Sequence, residues 1–378
     1  MIKDKLTIRD AMILTAGPSI SQKEIDYVLD AVKTGWNFHW SDYLRKFEKA
    51  LAEYEGTEHA LAVSHGTAAL HLALAVFGVG PGDEVIVPDL TYVACSNVVR
   101  YLGAKPVFAD VDRETWCLDP KSVEKLITSK TKAIMPVWMY GNAPDMDAIM
   151  AIAKKHKLYV IEDSCPALGT TYKNKKAGSI GDVGAFSFQG AKIAVMGEGG
   201  GFVTNRKDFM DQAMSLYDHG RDENRQFWAK QFGYMYELSG VQAALGLAQV
   251  ERIEELVAKK RQIFKWYFDR LSSIKYFSLN KELPGVCSNM WMPSIVLHKD
   301  APISRDDLRV ELKKRMIDTR PFFFPITMFP IYEDKQAAVR NPNAYYLSAN
   351  GLNLPSGFER TEEDVDYIAS HIKDILGV

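Results

Sequence analysis

Residues 181–205 read GDVGAFSFQGAKIAVMGEGGGFVTN, and the chemistry of the chain centres on the single lysine within them. Val183, Ala185, Phe186 and Phe188 form a short apolar alternation that predicts a strand. Lys192 follows in a loop of small residues, then Gly197-Glu198-Gly199-Gly200-Gly201, then the apolar run Phe202-Val203-Thr204. Such a glycine cluster lets the backbone approach a ligand closely. A lysine between Ala191 and Ile193, with no carboxylate before Glu198, sheds its proton more readily than a solvated one. A neutral amine is what Schiff-base chemistry requires. Taken alone, a lysine between two strands is more often a solvated surface group.

The elements around it change that weighting. His59–Val63 predicts a strand, Ser64-His65-Gly66-Thr67 a turn, and residues 68–77 an apolar helix. A strand, a glycine turn and a helix in succession gather free N–H groups and a positive helix end, which suits a phosphate. An ordinary β–α turn with a threonine cap is the equal alternative. Residues 84–87 predict a strand stopped by Pro88, with Thr91-Tyr92 at its edge and a helix running to about Leu102. Further strands are expected at Lys105–Ala109, 133–138 and 158–162, the last terminating in Asp163, with helices at 122–128 and Met146–His156. Strands alternating with helices at this spacing predict an α/β fold with a mainly parallel central sheet covered by helices. Ligands of such sheets gather beyond the carboxyl ends of the strands. Gly66, Thr67, Tyr92, Asp163, Ser187 and Lys192 all fall at or just after strand ends.

Two amphipathic helices are expected at the start, over 19–33 with Ser19 or Ser21 as cap and over 43–54 ended by Gly56. One long helix over 238–268 leads from the large domain into a second one. That unit holds a strand at 291–297, a helix after Ser304 and a closing helix capped by Thr361. The division expected is a large domain over 1–250 and a small one over 251–378. The 378 residues are 47% hydrophobic and 25% charged with net charge −2, which gives no electrostatic reason for nucleic acid or an anionic membrane as partner. The charged opening MIKDKLTIRDAM and the lack of a spanning apolar run suggest a cytoplasmic protein. Cys95, Cys117, Cys165 and Cys287 lack paired spacing, so neither a disulfide framework nor a metal site is expected.

Taken together, SHGTAALHLAL, GDEVIVPDLTYVA, IEDSCPALGTTYKNKKAGSIGDVGAFSF, AKIAVMGEGGGFVTN and LSGVQAALG resemble the DegT/DnrJ/EryC1/StrS family of sugar aminotransferases over nearly the whole chain. TRPFFFPI and LNLPSG are most similar to the perosamine-type synthases of 4-amino-4,6-dideoxy sugars within it. The resemblance implies an aspartate aminotransferase-like (type I) fold and pyridoxal 5'-phosphate (PLP) as cofactor, with pyridoxamine phosphate as its amino-carrying form. It implies an aminotransferase moving an amino group from L-glutamate to a nucleotide-linked 4-keto-6-deoxy sugar for polysaccharide or O-antigen synthesis. It also implies a homodimer with the active site at the subunit interface, residues around 219–237 serving the opposite subunit. By position, Lys192 bonds covalently to the cofactor, Asp163 pairs with its ring nitrogen, and Tyr92 stacks on the ring. Gly66, Thr67 and Ser187 hold the phosphate, Glu198 shapes the adjoining loop, and His219 lies near the substrate.

The chain also departs from its relatives. Many carry GYNYR where this one has Gly233-Tyr234-Met235-Tyr236-Glu237. A thioether donates no hydrogen bond to phosphate, and a carboxylate repels pyrophosphate. Pro166 and Thr327 stand where Gln or His and a His are common, making Thr327 a substrate candidate. These changes leave open which sugar binds, which carbon is aminated, and whether a nucleotide is attached. A sugar dehydratase of the same family, in which a histidine typically replaces the lysine, and a non-catalytic PLP-binding protein are the alternatives.

Overall fold

Alternate residues of the central strands point to opposite faces, and helices cover both faces, so the strands are nearly unbroken apolar runs. The computed structural model describes residues 8–222 and 224–378; the charged stretch 1–7 lies outside them. Helices α1 (Gln22–Thr34) and α2 (Asp42–Glu55) lead into β1 (His59–Val63), α3 (Gly66–Val76), β2 (Glu84–Pro88), α4 (Ala94–Tyr101), β3 (Lys105–Ala109) and α5 (Pro120–Leu126). Next come β4 (Thr131–Ile134), α6 (Met146–His156), β5 (Tyr159–Asp163), β6 (Thr171–Tyr172), β7 (Lys175–Lys176), β8 (Val183–Ser187) and β9 (Gly200–Thr204). Then follow α7 (Lys207–Tyr217), α8 (Gly240–Val250), α9 (Ile253–Leu271), β10 (Phe277–Leu279), β11 (Val286–Cys287), β12 (Ser294–Leu297) and α10 (Arg305–Lys314). The chain closes with β13 (Arg320–Pro321), α11 (Ala337–Arg340), α12 (Pro342–Asn350), β14 (Gly351–Asn353) and α13 (Glu362–Leu376).

Seven strands make the main sheet in the order β1-β9-β8-β5-β4-β2-β3, and only β9 runs antiparallel to its neighbours. The mainly parallel sheet expected from the sequence is therefore present. Val85, Val87, Ala133, Ile161 and Val183 face α3, α4 and α7, whereas Ile86, Ile134 and Val160 face α5 and α6. Helices α2 and α8 close the second face over Ala60, Ala62 and Phe186. The C-terminal part builds its own core, in which α9, α10 and α13 pack on the antiparallel sheet β10-β12-β14-β13. Ile13 belongs to this second core: it pairs in parallel with Ile317, and Thr15 N–H donates to Asp318. Among the described residues, no helix is long and apolar enough to cross a membrane.

The single long helix expected over 238–268 is two helices, broken at Glu251 and Arg252. No glycine or proline marks the break; tertiary pairing makes it. The Arg252 guanidinium reaches back 2.6 Å to Glu24 and 3.1 Å to Ser19, and Gln249 donates to the same Glu24 carboxylate at 2.6 Å. Burial pushes the Glu24 carboxyl up, but donors from Ser21, Arg252 and Gln249 outweigh it and hold it at about 2. Ser21, rather than Ser19, caps α1, with a capping box to Glu24. The strand expected at 291–297 begins only at Ser294, because Trp291 turns toward the main sheet's edge.

Candidate active site

Sheet register delivers the site residues to one edge. Asp163 stands against Ala185, and Gly200 stands against both Val63 and Ser187. The turn after β1 packs into the same place. A Cβ added to Gly66 would lie 2.8 Å from Cys165 Sγ and from Ser187 Cβ. One added to Gly200 would lie 2.5 Å from the His65 carbonyl carbon and 2.8 Å from Gly66 N. Only glycine permits this approach. His65 caps α3, its Nδ1 accepting from Ala68 N at 3.1 Å. The first N–H groups of a helix have no intrahelical acceptor, so those of Gly66 and Thr67 open onto the site.

Beyond this edge lies a cavity of about 510 Å³. It is lined by Gly66, Thr67, Tyr92, Asp163, Ser187, Lys192 and Glu198, all residues named from the sequence. His65, Cys165, Pro166, Trp291, Arg320 and Phe323 also line it. Lys192 follows β8 in a tight turn, its N–H donating to Gln189 O at 2.8 Å. Its Nζ lies 4.1 Å from the centroid of the Trp291 ring. Burial lowers the ammonium pKa below the ordinary lysine value, against the pull of the acidic groups around it. Burial also raises the Cys95 and Cys165 thiols well above their usual value, so both stay protonated.

Asp163 is buried at the end of β5. Its Oδ1 accepts from Cys165 N at 3.1 Å, and its Oδ2 accepts from Cys95 Sγ at 3.0 Å. Tyr92 is 61% exposed and its ring stands 5.8 Å from that of Phe323, a free aromatic face at the mouth. Glu198 is exposed, and its carbonyl accepts from Gln242 Nε2 at 2.6 Å, which pins the glycine loop. Two sequence candidates lie elsewhere. Thr327 is buried with its hydroxyl 2.7 Å from Asp89 and 3.1 Å from Tyr345, so it fastens the two parts of the chain together. His219 is exposed outside the cavity, held through its own N–H to Tyr234 O at 2.8 Å.

Trp291 and Arg320 were not singled out by sequence reasoning. Trp291 is set by buried Asn289, whose Oδ1 accepts Trp291 N at 3.0 Å and whose amide donates to Pro166 O and Leu168 O. Its indole N–H binds Ala191 O at 2.8 Å, next to the lysine. The unusual NMWMP run was the available signal. Arg320 is exposed and, among the described residues, pairs with no carboxylate, leaving a guanidinium free to take an anionic group in the cavity.

A neutral-prone amine, an anchored carboxylate and a helix N-terminus around one cavity describe the class of PLP enzymes with the aspartate aminotransferase-like fold. The chain belongs to the DegT/DnrJ/EryC1/StrS aminotransferase family, whose pattern it matches over residues 18–373. It is 40% identical to GDP-perosamine synthase of Caulobacter vibrioides over 96% of this chain and 98% of that one. It is 34% identical to the spore coat polysaccharide biosynthesis protein SpsC of Bacillus subtilis over 95% and 96% of the two chains. Among solved structures, the Streptococcus pneumoniae protein Spr1654, a sugar aminotransferase by name, superposes in its PMP form with TM-score 0.91 at 28% identity, covering 97% of this chain and 98% of that one. Its PLP form gives a TM-score of 0.90. The protein is a PLP-dependent aminotransferase. The cradle suits the cofactor: the Gly66 turn leaves room for phosphate oxygens at the α3 N-terminus, Asp163 offers an acceptor, and the Lys192 amine is desolvated.

The departure at Glu237 also has a structural counterpart. Glu237 forms a bridge with Val63, while Glu48 accepts Ala62 N at 2.9 Å on the neighbouring residue. Burial lifts the Glu48 carboxyl to about 7; the Ala62 N–H pulls it down and Glu237 pushes it further up. Folding thus favours protonated Glu48, and this contribution is complete below pH ~4.5 and lost as pH rises to about 7. Glu48→Gln is expected to raise stability at pH 8.5 by up to about 3 kcal/mol and to change little near pH 4.5. Urea unfolding at the two pH values measures this, and an equal effect at both would contradict the assignment.

Proposed function

We propose that the protein transfers an amino group from L-glutamate to a nucleotide-linked 4-keto-6-deoxy sugar, giving a perosamine-type amino sugar for polysaccharide or O-antigen synthesis. The desolvated Lys192 amine beside Asp163, at the α3 N-terminus, is the observation that carries the reaction class. The names of the relatives support the sugar and the nucleotide. When bound, PLP supplies an electron sink for the bonds of the carbon that bears the substrate's nitrogen. Asp163 keeps the ring nitrogen protonated, Tyr92 covers the ring face, and Gly66, Thr67 and Ser187 hold the phosphate. Lys192 Nζ gives way to the incoming amine, removes the proton from glutamate's α-carbon and later returns one to the sugar carbon. Glu198 borders the sugar's entry to the cavity.

We divide the chain into a large cofactor-binding domain over 1–250 and a small domain over 251–378, since α8 and α9 part at that point. The functional unit is a homodimer with residues 219–237 of each copy serving the other's cavity. Phe227, Phe232 and Met235 are exposed in that segment, Phe232 at 99%, and Phe38 and Trp40 are exposed beside α1 and α2. His219 then reaches substrate only across the interface.

Glutamate is expected to bleach the visible absorption of the PLP-loaded protein with release of 2-oxoglutarate, and a GDP-linked 4-keto-6-deoxy sugar to restore it. The sugar product then carries one new amine, detectable by mass spectrometry. An unchanged spectrum with glutamate, or a deoxygenated product in place of an amine, would sink the reading.

A further inference from the structure

We infer that Cys95 is a positioning residue for Asp163: its S–H donor holds one carboxylate oxygen so that the remaining acceptor capacity faces the cofactor's ring nitrogen. The inference rests on the role of Asp163 proposed above. Cys95 is fully buried on the first turn of α4, three residues after Tyr92. The turn that follows β2 therefore sets the aromatic face at the cavity mouth and the thiol against the carboxylate. Cys95 Sγ lies 3.0 Å from Asp163 Oδ2 and 3.5 Å from Thr91 Oγ1, and the other oxygen, Oδ1, takes Cys165 N–H at 3.1 Å. Each oxygen thus has one donor from the protein and further lone pairs unclaimed by it.

The placement follows from the sheet. Asp163 shares the face of Ile161, whose core also holds Cys95, Val98 and Val99 of α4, and this brings the thiol to the carboxylate. Burial keeps the thiol protonated, which leaves it a donor rather than a second anion beside the carboxylate. A thiol is a weak donor. It fixes the carboxylate's direction while withdrawing little of its charge, and that charge is what keeps a protonated ring nitrogen favourable. Without the donor, the carboxylate is free to turn away from the ring nitrogen that its charge supports.

Cys95→Ala, Cys95→Ser and Asp163→Asn, each loaded with PLP, test this with two readouts that need no turnover. These are the cofactor's dissociation constant and the pH titration of its visible absorption. Cys95→Ala is expected to weaken cofactor retention about fivefold. Its titration should move about half a unit in the direction that Asp163→Asn moves it. Cys95→Ser, which keeps a donor, is expected to restore both. A wild-type titration in Cys95→Ala beside a shifted one in Asp163→Asn overturns the inference and leaves the role of Asp163 standing. The inference fails in the same way if Cys95→Ser behaves as Cys95→Ala, or if Cys95→Ala lowers only the melting temperature. A wild-type titration in Asp163→Asn overturns both roles together.

Discussion

Lys192→Ala is expected to lower the rate of amino transfer by about a thousandfold or more, with the fold intact, because in the proposed reaction one amine performs both the covalent and the proton-moving work. Among the described residues the side chain makes no hydrogen bond; its backbone N–H, which alanine retains, ties the loop to Gln189. Melting temperature should therefore hold while turnover is lost. Lys192→Arg keeps positive charge but not the ability to shed it, since a guanidinium stays protonated at any working pH. It should be as inactive as the alanine variant. That equality separates a role in chemistry from one in charge balance. Small primary amines added to Lys192→Ala should recover part of the rate by supplying the missing base. Reduction of the wild-type protein with borohydride should fix the cofactor on the peptide holding position 192, and a label elsewhere, or an active alanine variant, would end the account.

Which residues the sequence revealed follows from the range of the forces involved. Asp163 was legible because β5 is an apolar run that ends in two acids, and parallel strands end at ligands. Lys192 was legible because its loop lies between a strand and a glycine cluster that has no other use. Trp291 acts on Lys192 from a hundred residues away, and nothing local ties NMWMP to AKIAV until Asn289 is seen bridging to Pro166. The helix break at Arg252 was equally invisible, since its cause, Glu24, lies at the other end of the chain. Thr327 lies outside the cavity for a related reason. Its hydroxyl meets Tyr345 and, far off in sequence, Asp89, which also accepts from Asn341 at 2.9 Å. His219 lies outside the cavity of its own chain, and only the homodimer proposed above would bring it to a substrate.

Glu162, beside Asp163 but not singled out by the sequence, should be the more costly of the two to fold without. Successive strand residues face opposite ways, so Asp163 turns to α4 and the cavity while Glu162 turns to the other face. There its carboxylate, fully buried, accepts four donors: Ile180 N at 2.7 Å, Gly181 N at 2.6 Å, Gly178 N at 3.0 Å and Trp138 Nε1 at 3.1 Å. Burial raises its carboxyl above the ordinary value, although all four donors pull the other way. Glu162→Ala orphans them together, and at about 1–3 kcal/mol for each buried unsatisfied group the loss is roughly 4–12 kcal/mol. That is comparable to the whole stability of many domains. Glu162→Gln keeps one acceptor oxygen and is expected to lose roughly half as much, giving a folded protein with a lower urea midpoint. The loop 178–181 leads directly into β8, so the same variant should also bind the cofactor more weakly, through Ser187 and Lys192 at the far end of that strand. Equal midpoints for wild type and Glu162→Gln would show that the four donors find other acceptors, and that Asp163 does not depend on its neighbour for its place.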